Sequence, residues 1–220
     1  MSKLHIDSVT KSYGSKKVLQ DVYLSCEKGK IVALLGGIGS GKSTLLQIIF
    51  GTLKGDSQFI KFNDQVLTKQ SDRKNKIAYL PQTPIFPRDI KIKNLISLFC
   101  NEVNTQKLFN SDLLEPLLNR TTRNLSGGER KMVEVLIIIH SEADFILLEE
   151  PYSGLSPILT EKVMKIIKEL SQEKGFIISD FNVQEATEIS DEIYLLSNTY
   201  LKQIKDLKEL QQHYYLPKNI

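Results

Sequence analysis

The chain has 220 residues, 41% of them hydrophobic, so we expect one domain with a sizeable buried core. Its formal net charge of +3 is small and argues neither for a nucleic-acid groove nor for an acidic tail, and we expect no nucleic-acid partner. No apolar run approaches the roughly 20 residues that span a bilayer, so we expect a protein that is soluble by itself and meets a membrane only through a partner.

Short apolar runs and turn residues in the first 80 residues predict strands on both sides of a glycine-rich loop. The predicted strands are residues 4–13, 17–26, 30–35, 58–62 and 77–80. A turn at Gly14 joins the first two strands, and a helix at 42–50 follows the loop. Residues 69–76 predict a charged loop.

The spacing of apolar residues changes to a helical pattern over residues 92–140. We expect a helical lobe at about 90–142, inserted into the core of a single domain covering 1–220. Strands and helices then alternate, with strands at 143–148, 176–179 and 192–196 and helices at 157–172, 183–189 and 206–214. This alternation predicts an α/β fold with a mostly parallel sheet.

The glycine-rich loop matches G-x-x-x-x-G-K-[ST], the phosphate-binding pattern. It consists of Gly36, Gly37, Ile38, Gly39, Ser40, Gly41, Lys42, Ser43 and Thr44. The glycines let backbone N–H groups converge, Lys42 can reach the β- and γ-phosphates, and Ser43 can ligate Mg²⁺. A glycine-rich turn without a ligand is the alternative. The strand before the loop and the helix after it favour a nucleoside-triphosphate site.

Two later motifs add chemistry to the phosphate loop. An apolar strand ends in Glu149 and Glu150, and such a pair can hold Mg²⁺ and polarise a water; an acidic loop start is the alternative. Ser126 and Glu129 fit the capping box S-x-x-E, with Gly127 and Gly128 between them. Two glycines there allow a phosphate close to the backbone, although a good helix start would have the same residues.

Together these motifs resemble the ATP-binding cassette (ABC) family, whose signature is L-S-G-G-[QE] between a phosphate loop and an acidic strand end. The resemblance covers nearly the whole chain and implies the ABC ATPase fold, with an antiparallel β subdomain and an inserted helical subdomain. By resemblance, Tyr13 would stack on adenine, and a strand aromatic packed on the sheet is the alternative. Ser43, Gln82 and Glu149 would be the Mg²⁺ residues, with Gln82 sensing the ion and coupling to the membrane partner. Glu150 would be the catalytic base. The signature residues that would cover ATP of an opposing subunit are Ser126, Gly127 and Gly128.

The resemblance also implies how such a chain works. ATP and Mg²⁺ would be bound in a head-to-tail homodimer or heterodimer, coupled to separate transmembrane transporter subunits at the cytoplasmic face of the membrane. Residues 128–134 and 179–186 are most similar to the groups that serve lipopolysaccharide export and branched-chain amino acid uptake. Two alternatives stay open: a soluble non-transport ABC protein, and a weakly active or non-catalytic subunit paired with an active homologue.

Three positions depart from the family pattern. Glu149 stands where the family has aspartate, which keeps the charge but adds one methylene. Ser156 replaces the aspartate of the loop that crosses the dimer, and Phe181 replaces the switch histidine. Since phenylalanine has no polar atom, it cannot make the contact that the histidine makes to the γ-phosphate. We therefore expect ATP binding with slow hydrolysis.

Overall fold

The computed structural model describes residues 2–206 and 208–212 of the chain. It has two β-sheets with helices packed against them. The strands are β1 (Lys3–Tyr13), β2 (Lys16–Glu27), β3 (Ile31–Leu35), β4 (Ser57–Phe62), β5 (Gln65–Val66), β6 (Ile77–Leu80), β7 (Phe145–Glu149), β8 (Gly175–Asp180), β9 (Glu192–Ser197) and β10 (Tyr200–Ile204). The predicted strands are all present within one or two residues of their expected ends.

The larger sheet has the strand order β10-β9-β3-β8-β7-β6. Its strands are parallel except for β10, which pairs antiparallel with β9. The smaller sheet, β2-β1-β4-β5, is antiparallel throughout. The predicted α/β fold, with a mostly parallel core sheet and an antiparallel part, is therefore confirmed.

The helices are α1 (Lys42–Phe50), α2 (Ile92–Phe99), α3 (Glu102–Phe109), α4 (Gly127–Ile139), α5 (Pro157–Leu170), α6 (Val183–Ile189) and α7 (Lys208–Gln212). Short 3₁₀ helices cover Gln70–Arg73, Glu115–Leu117 and Thr122–Asn124. In this described part of the chain no helix is long and apolar enough to cross a membrane. Helices α2 to α4 come between β6 and β7 in the chain, but their status as an inserted lobe stays a prediction.

The strand β7 shows how the core holds the end of the sheet in place. All five of its residues are buried. Ile146 and Leu148 belong to the apolar core formed with the helices α2 to α5, whereas Phe145 and Leu147 face the core shared with α1 and the antiparallel sheet. A parallel strand covered on both faces reads as an uninterrupted apolar run, which is why the sequence predicted it well.

Three features differ from the sequence predictions. The charged loop was wrong for Gln70–Arg73, because Asp72 accepts hydrogen bonds from the N–H groups of Thr68 and Lys69 and closes a 3₁₀ turn. Strands β5 and β10 were not predicted. The helix expected at 206–214 begins at Lys208, and the part of it beyond residue 212 lies outside the described residues.

Candidate functional site

Residues 39–44 of the phosphate loop and Val18 line a hollow of about 160 Å³ between β3 and α1. Gly39 and Gly41 have φ angles of 75° and 110°, in the left-handed region that favours glycine. A Cβ at Gly41 would lie 2.8 Å from Cγ1 of Val18, so a larger residue would not fit. The loop ends at the N-terminus of α1, where backbone N–H groups and the helix dipole favour an anion.

Three carboxylates lie at the carboxyl ends of neighbouring parallel strands, and we call them the acidic cluster: Glu149, Glu150 and Asp180. The side chains of Glu149 and Asp180 are buried. Glu150 has a φ of 44°, and its N–H donates to the carbonyl of Ser179 over 2.8 Å, which fixes the turn after β7. The fold therefore brings the two predicted glutamates together with an aspartate that the sequence had not indicated.

Lys42, the first residue of α1, folds back onto the loop. Its Nζ donates hydrogen bonds to the carbonyl oxygens of Gly36 and Gly37, the second over 3.2 Å. Burial lowers the pKa of Lys42, and the negative charges of the acidic cluster oppose that shift. The charges of Glu150, Asp180 and Glu149 thus act on the ammonium group of the phosphate loop.

Gln82 joins the two glutamates through separate groups. Its side-chain Nε2 donates to Oε2 of Glu150 over 2.8 Å, and its backbone N–H donates to Oε2 of Glu149 over 3.2 Å. The hydroxyl of Tyr79 donates to Oε1 of Glu149 over 2.7 Å. The residue predicted to sense Mg²⁺ is therefore bonded to both carboxylates that were predicted to act beside it.

The chemistry of the predicted metal ligands fits Mg²⁺. The Ser43 hydroxyl, the Gln82 amide oxygen and the Glu149 carboxylate are hard oxygen donors, the type that Mg²⁺ prefers. The Gln82 amide nitrogen is engaged with Glu150, which leaves its oxygen as an acceptor. Residues 2–206 and 208–212 contain no group of three or more His, Cys, Asp or Glu side chains that could hold a metal alone.

Two charged residues of α4 hold the segment that carries Gln82. Lys131 donates from Nζ to the carbonyl of Gln82 over 3.4 Å, and Oε1 of Glu134 accepts the N–H of Ile85 over 3.1 Å. Both side chains are buried. Sequence reasoning missed them, although charged residues within the apolar run of α4 were a signal that could have been followed.

Asp180 and Phe181 follow β8 directly. Burial raises the pKa of Asp180 to about 6, with repulsion from Glu185 and Glu150 in the same direction; the backbone N–H groups of Asn182 and Phe181 oppose it. Phe181 is 57% exposed. At the predicted switch position the chain thus presents an apolar ring to solvent, next to a buried carboxyl.

The predicted signature begins α4 as its motif requires. Oγ of Ser126 accepts the N–H of Glu129 over 3.2 Å, and the Glu129 carboxylate accepts the N–H of Ser126 over 2.7 Å. These are the two bonds of the predicted capping box. A Cβ at Gly128 would lie 2.6 Å from the carbonyl oxygen of Gly154, so glycine lets the loop after Glu150 approach this helix closely. Gly127 has no such constraint.

Two other predicted positions have simple surroundings. Tyr13 ends β1 with its side chain 52% exposed, and Nζ of Lys11 lies 5.4 Å from its ring centroid. The ring can therefore stack on a flat partner. Ser156 is the N-cap of α5, and its Oγ accepts the N–H of Leu159 over 3.4 Å. Serine and aspartate are about equally good caps, so this substitution keeps the local fold.

Comparison with known proteins identifies the family of this chain. The family description "ABC transporter" matches residues 19–153. The chain is 31% identical over 215 residues to the lipopolysaccharide export system ATP-binding protein LptB of Escherichia coli (strain K12), covering 91% of this chain and 89% of that protein. It is also 31% identical to the xylose/arabinose import ATP-binding protein XylG of Sulfolobus acidocaldarius, covering 88% and 84%.

Solved structures share the fold. An ATP-binding subunit of an ABC transporter superposes with a TM-score of 0.82 at 22% identity, covering 96% of this chain and 92% of the other. An ABC transporter cassette in its ADP conformation gives 0.80 at 24% identity, covering 99% and 96%. Given the phosphate loop, the acidic strand end, the signature helix and these matches, the chain belongs to the ABC transporter ATP-binding family.

Proposed function

We propose that this protein binds Mg·ATP and hydrolyses it in a head-to-tail dimer, to drive substrate movement by separate transmembrane subunits at the cytoplasmic face of a membrane. The observation that carries this proposal is the joining of Gln82 to Glu149 and Glu150, in a cluster whose charge acts on Lys42 of the phosphate loop. The proposed site thus combines a residue that binds the nucleotide, residues that bind the metal and a candidate base.

Each residue has a chemical task in this proposal. Lys42 and the N-terminus of α1 bind the phosphates, while Tyr13 offers a ring to the adenine. Glu150, oriented by the Gln82 amide, accepts a proton from the attacking water. Ser43, Gln82 and Glu149 would hold Mg²⁺, which when bound neutralises the charge that develops on the phosphates.

The dimer follows from the position of the signature in the proposal. Ser126, Gly127 and Gly128 begin α4, and the hydrogen bonds of Ser126 go to Glu129 of its own helix rather than to the phosphate loop. In this arrangement the signature acts on ATP held by another subunit, either a copy of this chain or a homologue. The relatives with transport systems in their names support the proposed transmembrane partner.

A second candidate is a weakly active subunit that binds ATP and pairs with an active homologue. Phe181 is the observation that favours it, because an exposed ring supplies no hydrogen bond to a γ-phosphate. Losing one such donor typically costs about 10²–10³ in rate. The intact Lys42, Ser43 and Glu150 favour the first candidate instead.

The test combines binding with turnover on the purified chain. Calorimetry with Mg·ATP measures affinity, and steady-state phosphate release measures hydrolysis, with Glu150→Gln as the matched variant that keeps the shape of the side chain. Binding together with phosphate release that is lost in Glu150→Gln supports the hydrolytic subunit. Binding with little or no release by either protein supports the second candidate. Brisk release that survives in Glu150→Gln contradicts the role of Glu150, and no binding contradicts both candidates. Copurification with a membrane protein tests the transport partner.

A further inference from the structure

Tyr79 lies on β6, which pairs with β7, and its side chain reaches Glu149 of the acidic cluster. In the parallel register of the two strands it is opposite Leu147, two residues before Glu149. Two residues of strand span about 6.6 Å, so only a long side chain can bring a polar atom to the carboxylate from that position. The tyrosine hydroxyl does so, at 2.7 Å from Oε1 of Glu149.

The carboxylate of Glu149 accepts one hydrogen bond on each oxygen, from the Tyr79 hydroxyl and from the Gln82 N–H. A glutamate has one more rotatable bond than an aspartate, so its carboxylate can adopt more orientations. A metal ligand must be held in one of them. We propose that Tyr79 is a positioning residue for Glu149, holding its longer side chain in the one orientation that suits Mg²⁺. This inference rests on the proposed function.

The phenol is suited to this role. Its hydroxyl is placed as a donor, with Oε1 of Glu149 as the acceptor. The Phe50 ring, with its centroid 5.3 Å from that of Tyr79, packs against the aromatic ring. Each carboxylate oxygen has further lone pairs, so the bond from Tyr79 leaves Glu149 able to bind a metal.

The experiment uses Tyr79→Phe, which removes the hydroxyl and keeps the ring. A fluorescent ATP analogue is bound first in EDTA and then with increasing Mg²⁺. We expect unchanged affinity in EDTA and a 10- to 100-fold higher Mg²⁺ concentration at half-effect, the range usual for a residue that orients a metal ligand. Tyr194→Phe is the matched control, because it removes a hydroxyl–carboxylate bond to Glu192 on β9 and should leave the Mg²⁺ titration unchanged.

A double-mutant cycle separates positioning from other effects of the hydroxyl. An aspartate at position 149 is one methylene shorter and should not reach the phenol, so Tyr79→Phe in the Glu149→Asp background should change the Mg²⁺ requirement less than two-fold. The inference would be overturned if Tyr79→Phe alone left the Mg²⁺ requirement unchanged. It would also be overturned if Tyr79→Phe raised the Mg²⁺ requirement equally in the wild-type and Glu149→Asp backgrounds.

The cycle is repeated without nucleotide, to separate this inference from the proposed function. In urea unfolding, Tyr79→Phe and Glu149→Asp remove the same bond, so their midpoint shifts should be non-additive. Additive shifts would overturn the positioning role even if ATP binds. Failure of the wild type to bind the ATP analogue, with non-additive shifts, would overturn the proposed function and the metal-related part of the inference while supporting the bond.

Discussion

Asp180 carries a negative charge at neutral pH in a place that disfavours it. Its side chain is 3% exposed at the end of β8. Glu185 and Glu150 repel the charge, whereas the Asn182 N–H, which donates to Oδ1 over 2.9 Å, favours it. Burial outweighs the favourable contacts and raises the pKa from 3.8 to about 6.

The effect on stability has a definite sign. From pH 3.8 to about 6 the native carboxyl keeps its proton while the unfolded chain has lost it, so the native state binds more protons. The free energy of unfolding therefore falls as pH rises through this interval, and the contribution of Asp180 is fully present only below it. At pH 7 the raised pKa therefore lowers the free energy of unfolding by about 3 kcal/mol, relative to the value below this interval.

We therefore expect Asp180→Asn to be more stable than the wild type at pH 7, by up to about 3 kcal/mol. The asparagine oxygen can still accept the Asn182 N–H, and the buried charge is gone. The gain should shrink toward zero at pH 4. In a chain of this size a full gain raises Tm by about 6–12 °C.

Urea unfolding at pH 4, 5, 6 and 7, followed by circular dichroism, measures this difference. Other groups titrate in both proteins, so the quantity of interest is the variant minus the wild type at each pH. Asp64→Asn is the control, since it removes a fully exposed carboxylate rather than a buried one. Parallel curves for Asp180→Asn and the wild type would refute the claim that burial disfavours the Asp180 charge.

Three further predictions concern the nucleotide. Lys42→Ala should abolish or greatly weaken Mg·ATP binding in a calorimetric titration, because Lys42 is the cation of the phosphate loop, and unchanged affinity would contradict the site. Glu150→Gln should remove turnover and trap an ATP-dependent dimer in light scattering; a monomer at saturating Mg·ATP, with no rescue by a partner subunit, would contradict the homodimer. Phe181→His should raise steady-state phosphate release by up to about 10²–10³ with little change in ATP affinity, and a fall from brisk wild-type turnover would show that another group serves as the switch.

The regular elements could be predicted from the sequence because their signals are local. The helix after the phosphate loop, Lys42–Phe50, was predicted with the bounds it has, since a glycine precedes it and another ends it. Strand β10 was missed because the turn before it uses Asn198 and Thr199 with φ of 49° and 71° in place of the usual glycine. The turn chemistry did not mark a hairpin there, and only the pairing with β9 makes the segment a strand.

Sequence analysis predicted only those site residues that belong to continuous motifs. Glu149 and Glu150 end an apolar strand, a pattern visible in one stretch of sequence. Asp180, Tyr79 and Lys131 come from three other elements, and they matter because the parallel sheet and α4 bring them to the same edge. Distances between such residues are set by strand register and helix packing, which no single stretch of sequence contains.

Gln82 links the two glutamates at the end of β7 to the helix α4. Its N–H and side chain bind Glu149 and Glu150, and its carbonyl accepts a bond from Lys131 of the signature helix. A second residue of that helix, Glu134, holds the same segment three residues later. Hydrogen bonds therefore connect the two glutamates, through Gln82 and the segment that follows it, to two buried side chains of α4. Neither connection is visible in a single stretch of sequence, because β6, β7 and α4 are brought together only by the fold.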